Sequence, residues 1–186
     1  MRIISGKFKG KKISFISSLE TRPLRDYVRE NIFNIINHGK KLKINLDKAN
    51  ILDLYSGVGS FGIECLSRYL CNVVFVEKNP SASLNLKKNI TDLKLTNRVK
   101  IISLDTKNYL EKINKKDKFD LIFLDPPYKD VSFLNIITLI KEKKIFNKNH
   151  RVIIHRERGC EEVFSDYLKI DLEKNYGRSK IIFGSF

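Results

Sequence analysis

The chain has 186 residues, a length that fits one α/β domain with a small appendage. Its formal net charge of +15 makes a polyanion the first partner to consider, although an AT-biased lysine coat would supply part of that charge. Cys65, Cys71 and Cys160 form no C-x-x-C pair, which excludes a disulfide framework and gives no reason to expect a metal. The opening residues are charged and no run of about 18 apolar residues occurs, so a cytoplasmic protein is expected, neither secreted nor membrane-spanning.

The first forty residues differ from the rest. Arg2–Gly6 and Lys12–Ile16 read as two short strands around a basic turn that holds Lys7, Phe8, Lys9 and Lys11. Thr21-Arg22-Pro23-Leu24-Arg25 then leads into a helix, because Val28, Ile32, Ile35 and Ile36 recur at spacings of three and four. Gly39 closes that helix. The division expected is a nucleic-acid-binding extension over 1–40 and a second unit over 41–186. Of only ten arginines, Arg22, Arg25 and Arg29 fall close together, and with Lys7, Lys9 and Lys11 they are the candidate phosphate contacts, Phe8 a candidate stacking ring.

From Asn50 strands and helices alternate, the pattern of a mostly parallel, Rossmann-like α/β sheet. Strands are expected at 51–54, 73–76, 99–103, 119–124, 151–156, 167–173 and 180–184, and helices near 61–70, 81–93, 107–113, 133–144 and 161–164. Only a short turn around Tyr176-Gly177-Arg178 separates the last two of seven strands, so they should form an antiparallel hairpin.

Directly after the first strand runs Asp53-Leu54-Tyr55-Ser56-Gly57-Val58-Gly59-Ser60-Phe61-Gly62, whose glycines match G-x-G-x-x-G and open a helix. Glu77 stands at the tip of the next strand, where a ribose-binding carboxylate belongs. Nicotinamide dinucleotides and S-adenosylmethionine both use this arrangement. Asp53 favours the second, because a carboxylate repels a pyrophosphate and attracts a sulfonium and an ammonium. Tyr55, Ser56, Gly57 and Gly59 complete the candidate cofactor loop. Asp105, after the third strand, either accepts an adenine amino group or caps the helix that follows.

The strand at 119–124 runs into Asp125-Pro126-Pro127-Tyr128. Two prolines cannot donate to a sheet ladder, so the chain leaves the sheet at a carboxyl end, where such sheets place ligands. It presents a carboxylate, bare carbonyls and an aromatic plane. Asp125 and a proline carbonyl suit the two N–H groups of an exocyclic amine, and Tyr128 suits the face of a base. A plain strand-ending turn fits these four residues as well when they are taken alone.

The order Asp53, Gly57, Gly59, Glu77, Asp105 and Asp125-Pro126-Pro127-Tyr128 resembles class I S-adenosylmethionine-dependent methyltransferases acting on nucleic-acid amines. Gly6–Lys11, Thr21-Arg22-Pro23, Val28–Asn34 and Gly62–Arg68 are similar to the RsmD family of 16S ribosomal RNA guanine-N2 methyltransferases. Lys9 and Leu24 depart from that family, which often has Arg and Thr there. The resemblance implies methyl transfer from S-adenosylmethionine to the exocyclic N2 of one guanine in 16S rRNA, within a partly assembled small ribosomal subunit. It implies Asp125, Pro126, Pro127 and Tyr128 as the catalytic set, a monomer, and no metal. Two alternatives stay open at this point: a DNA adenine-N6 methyltransferase, and a non-catalytic basic RNA-binding protein that keeps a Rossmann core.

Overall fold

The structure is a computed structural model that describes residues 1–15, 24–39, 42, 44–130 and 132–186. Ile16 and the expected Thr21-Arg22-Pro23 segment lie outside the described residues. Seven strands form one sheet: β1 Asn50–Leu54, β2 Asn72–Val76, β3 Val99–Ile102, β4 Phe119–Leu124, β5 Phe146–Glu157, β6 Lys169–Tyr176 and β7 Ser179–Ser185. Their order is β3-β2-β1-β4-β5-β7-β6, with β1 to β5 parallel and β7 antiparallel to both β5 and β6. β6 therefore runs in the same direction as β5, and its end at Tyr176 lies on the edge where β1, β2, β4 and β5 also finish.

The helices are α1 Asp26–His38, α2 Ser60–Arg68, α3 Pro80–Asp92, α4 Thr106–Lys112 and α5 Phe133–Lys143. Their starts follow from local chemistry. Gly57 and Gly59 hold φ values of +54° and +86°, which glycine alone adopts at no steric cost, and so turn β1 into α2. Asn79 accepts the Ala82 N–H and Pro80 occupies the first turn, a pairing that fixes the start of α3.

The central strands are buried on both faces, as their mostly apolar sequences require, with Asp53 the buried exception in β1. One core cluster joins Ile32 and Phe33 of α1 to Phe61, Phe75, Phe123 and Phe183, so the N-terminal extension shares a core with the sheet. Phe61 stacks on Phe123 at 3.9 Å and on Phe33 at 5.4 Å, locking α1, α2 and β4 together. A second cluster packs α4 and α5 on the opposite face.

Three expectations need correction. The N-terminal pair of strands is a single antiparallel bridge, Arg2 with Lys12. The backbone N–H groups that would extend it bond to α2 instead: Ile4 and Ser5 donate to Glu64, and Phe8 donates to Ser67. The helix expected at 161–164 is a 3-10 turn, Phe164–Asp166, because Glu162 is drawn out to Arg156. β5 starts at Phe146 rather than Arg151, five residues earlier than its apolar run suggests.

Candidate active site at the carboxyl edge

β1 and β4 lie side by side, so the glycine loop after one and the Asp-Pro-Pro-Tyr turn after the other emerge next to each other. Asp125 still donates its N–H to the Leu54 carbonyl at 3.4 Å, after which the prolines end the ladder. The Gly57 and Asp125 motifs thus share one edge.

On the β1 side, Glu77 spans the loop. Its Oε2 accepts the Gly57 N–H and its Oε1 the Asn79 N–H, both at 2.7 Å. Each oxygen keeps a lone pair free, which suits a carboxylate expected to bind a diol. Asp53 is 1% exposed and accepts the Gly62 N–H at 3.0 Å, so it touches the loop rather than the pocket surface. Burial pushes the Asp53 carboxyl well above the usual carboxylate range; the Gly62 N–H opposes this, while the charges of Asp125 and Glu77 add to it. Asp53, Glu77 and Asp125 stand at or beside the carboxyl ends of the neighbouring strands β1, β2 and β4.

Ser56 is turned inward, with both its N–H and its hydroxyl on the Val76 carbonyl. Tyr55 holds φ +58°, a left-handed conformation uncommon for a bulky residue, at the mouth of the loop. Burial raises its phenol above the ordinary value, with the charges of Asp130 and Asp105 adding to the shift. Asp105 caps α4 by accepting the Lys107 N–H at 2.9 Å and faces Lys78 at 3.7 Å. The capping role thus holds, and a half-exposed second oxygen remains.

A cationic ligand fits this set of donors and acceptors. Nothing lies within 4 Å of where a Gly57 Cβ would stand, so the loop is open there, and the carboxylates around it attract positive charge. An anionic pyrophosphate would meet the same carboxylates as repulsion.

On the β4 side, the turn is held by residues that the sequence reading missed. Arg156, at the end of β5, is 1% exposed and donates to the Pro127 and Tyr128 carbonyls at 2.9 Å each. Its guanidinium also pairs with Glu162 and lies 4.4 Å from the Phe133 ring centroid. Among the described residues no donor takes the Pro126 carbonyl. His155 places Nδ1 2.8 Å from Asp125 Oδ1, and Nε2 2.9 Å from Ser179 Oγ and 3.3 Å from the Tyr128 hydroxyl. An ionised carboxylate only accepts, so Nδ1 carries the proton and Nε2 accepts from the hydroxyls. A polar pair ending an apolar parallel strand was the available signal for His155 and Arg156.

The expected RNA contacts divide. Lys7, Lys9 and Lys11 are exposed, but their turn hangs from Ser67 at the far end of α2, away from the carboxyl edge. Phe8 is buried, with Lys7 and Lys11 over its ring, so it does not offer a stacking face. Arg25 is exposed at the start of α1. Arg29 is a correction: it is fully buried, donates to the Arg2 carbonyl, and pairs with Asp26 at 2.9 Å and Glu64 at 3.5 Å. It holds the extension to α2 and has no surface for a phosphate. Arg22 lies outside the described residues.

The seven-stranded order, the glycine loop after β1 and the strand-end acid on β2 define the fold of class I methyltransferases. Escherichia coli yhhF shares it with a TM-score of 0.81 at 24% identity, over 99% of this chain and 96% of that one. An RNA methyltransferase from Salinibacter ruber shares it with a TM-score of 0.60 at 13% identity, over 87% of this chain and 92% of that one.

The family model "Conserved hypothetical protein 95" matches residues 1–185. Ribosomal RNA small subunit methyltransferase D of Buchnera aphidicola subsp. Baizongia pistaciae is 34% identical over 97% of this chain and 88% of its own length. The Escherichia coli K12 protein of the same name is 30% identical over 76% of this chain and 67% of its own. The chain belongs to this family, as its motifs led us to expect.

Proposed function

We propose that this protein transfers a methyl group from S-adenosylmethionine to the exocyclic N2 of a guanine in small-subunit ribosomal RNA. The observation that carries the reading is the shared edge: Asp125 and the Pro126 carbonyl, to which no described residue donates, stand beside an open glycine loop that Glu77 spans. Family membership and the names of its relatives support ribosomal RNA as the substrate. They also favour this reading over duplex DNA adenine and over a non-catalytic RNA-binding role.

S-adenosylmethionine supplies an electrophilic methyl on a sulfonium. Gly57, Gly59 and Tyr55 would line its loop, Glu77 and Asp105 would accept from its ribose and adenine, and Asp53 would add negative charge from beneath. Asp125 and the Pro126 carbonyl accept the two N–H bonds of the guanine amine, which draws its lone pair out of conjugation. One of those protons would pass to Asp125 as the N–C bond forms and the S–C bond of the sulfonium breaks, the electron pair staying on sulfur as the neutral thioether S-adenosylhomocysteine. Tyr128 stacks on the base, a contact of about 1–3 kcal/mol. Arg156 fixes the turn by its two carbonyls, so the acceptors are placed before substrate arrives.

The experiment is calorimetric titration with S-adenosylmethionine and with NAD, followed by incubation with methyl-labelled donor and small ribosomal particles. Binding of the methyl donor alone and label recovered in RNA are expected. A protein that binds the donor and labels no nucleic acid would refute the reading.

A further inference from the structure

The described lysines of the basic turn sit away from Asp125, which leaves open what holds RNA at the catalytic edge. β6 supplies an answer. Because it runs parallel to β5, its last residue, Tyr176, reaches the same edge as Asp125. There it meets Tyr27 of α1 edge-to-face, with centroids 5.7 Å apart, and Tyr27 is 64% exposed. Tyr176 is partly buried against the core and props up the exposed Tyr27 ring, which offers a flat face to a partner.

The turn after Tyr176 carries Arg178, whose carbonyl accepts the Arg158 N–H at 2.8 Å. Both arginines are exposed. They border a shallow, open cleft together with Glu157, Gly159 and Gly177. Glu157 pairs with Arg178 at 2.7 Å and holds that guanidinium beside the cleft. The cleft adjoins the site directly: the next residue, Ser179, hydrogen-bonds His155, which in turn bonds Asp125. Arg25 stands exposed two residues before Tyr27.

We infer that this rim, formed by Arg25, Tyr27, Tyr176, Arg158 and Arg178, is the docking surface for single-stranded RNA flanking the target base. It rests on the reading of the protein as an RNA methyltransferase and extends it to where the strand lies. Exposed guanidiniums beside an exposed phenol match a strand that offers both phosphates and base faces. A duplex hides its base faces, so single-stranded loops are the form selected.

The test is equilibrium binding of a fluorescent RNA hairpin to the full chain between about 50 and 200 mM salt. The Arg158→Ala/Arg178→Ala variant should bind more weakly, with a log–log salt slope shallower by about 1.5, two single-strand phosphates' worth. Tyr27→Leu, at an exposed position, should weaken binding about ten-fold and leave the slope unchanged, as loss of one stacked base requires. Affinity for S-adenosylmethionine should be the same in all three proteins. Variants that bind the hairpin as tightly and as steeply as the parent overturn the rim while methyl transfer by the parent still stands. Tighter binding of duplex DNA than of the hairpin overturns it as well. Failure of the parent to methylate any RNA strikes the enzymatic reading instead, and the salt slopes then judge the rim alone.

Discussion

His155 Nδ1 lies 2.8 Å from Asp125 Oδ1, and this bond joins the end of β5 to the end of β4 across the sheet. It occupies one carboxylate oxygen and leaves the other for the substrate amine. Ser179 and Tyr128, both on Nε2, keep the ring in the tautomer that donates to Asp125.

His155→Ala should therefore lower kcat by about 10²-fold, the cost of a misplaced reacting group, with KM for S-adenosylmethionine unchanged. His155→Asn presents an N–H close to the Nδ1 position and should restore most of that loss. Steady-state kinetics on both variants decide it; equal damage in the two would reduce His155 to a packing residue.

Asp53 makes an opposite pair of predictions. Its folded-state carboxyl titrates above the ordinary 3.8, so ionisation opposes folding. That penalty is absent below 3.8 and grows as pH rises toward the raised value. Asp53→Asn should leave the unliganded protein as stable as the parent, or more so, at neutral pH. Above the raised value it should weaken S-adenosylmethionine binding by about ten-fold, through loss of negative charge beneath a cation, and the difference from the parent should shrink as pH falls below it. Thermal melts and calorimetry on the same preparation read both effects.

Arg29 is expected to matter for stability alone. Burial pulls its guanidinium below the ordinary value, and Glu64 and Asp26 oppose this. Removing it leaves Glu64 buried with fewer partners, so Arg29→Met should cost about 3 kcal/mol in urea unfolding. The salt slope of RNA binding should not change, which separates this residue from a phosphate contact.

His150 gives the molecule an acid-sensitive point. Its Nε2 accepts the Phe186 N–H at 2.9 Å, its ring packs against those of Phe146 and Phe186, and burial lowers its pKa from 6.5. The folded state thus binds the proton less readily than the unfolded chain. Stability from this residue is intact above 6.5 and is lost as pH falls from there toward the lowered value. Melting temperature should drop over that window, and His150→Gln should flatten the drop.

The parts of this architecture written in local sequence were readable in advance. Gly57 and Gly59 announce a turn because no other residue takes their φ values cheaply, and Pro126-Pro127 announces the end of β4 for lack of N–H groups. What escaped depends on partners distant along the chain. Arg25 and Arg29 are one helical turn apart and look equivalent, yet Glu64 on α2 buries the second and leaves the first in solvent. His155 gains its meaning from Asp125, and Arg156 from the Pro127 and Tyr128 carbonyls, contacts that only the strand order β1-β4-β5 creates. The N-terminal hairpin dwindled to one bridge for the same reason: Glu64 and Ser67 offered its N–H groups better acceptors.

The most direct measurement maps the modified nucleoside. Small ribosomal particles incubated with methyl-labelled S-adenosylmethionine and the parent protein should yield N2-methylguanosine at a single position. Asp125→Ala should yield none while still binding the methyl donor in calorimetry. Label on a ring nitrogen or a ribose oxygen, or undiminished N2 methylation by Asp125→Ala, would contradict the pocket described for Asp125, Pro126 and Tyr128.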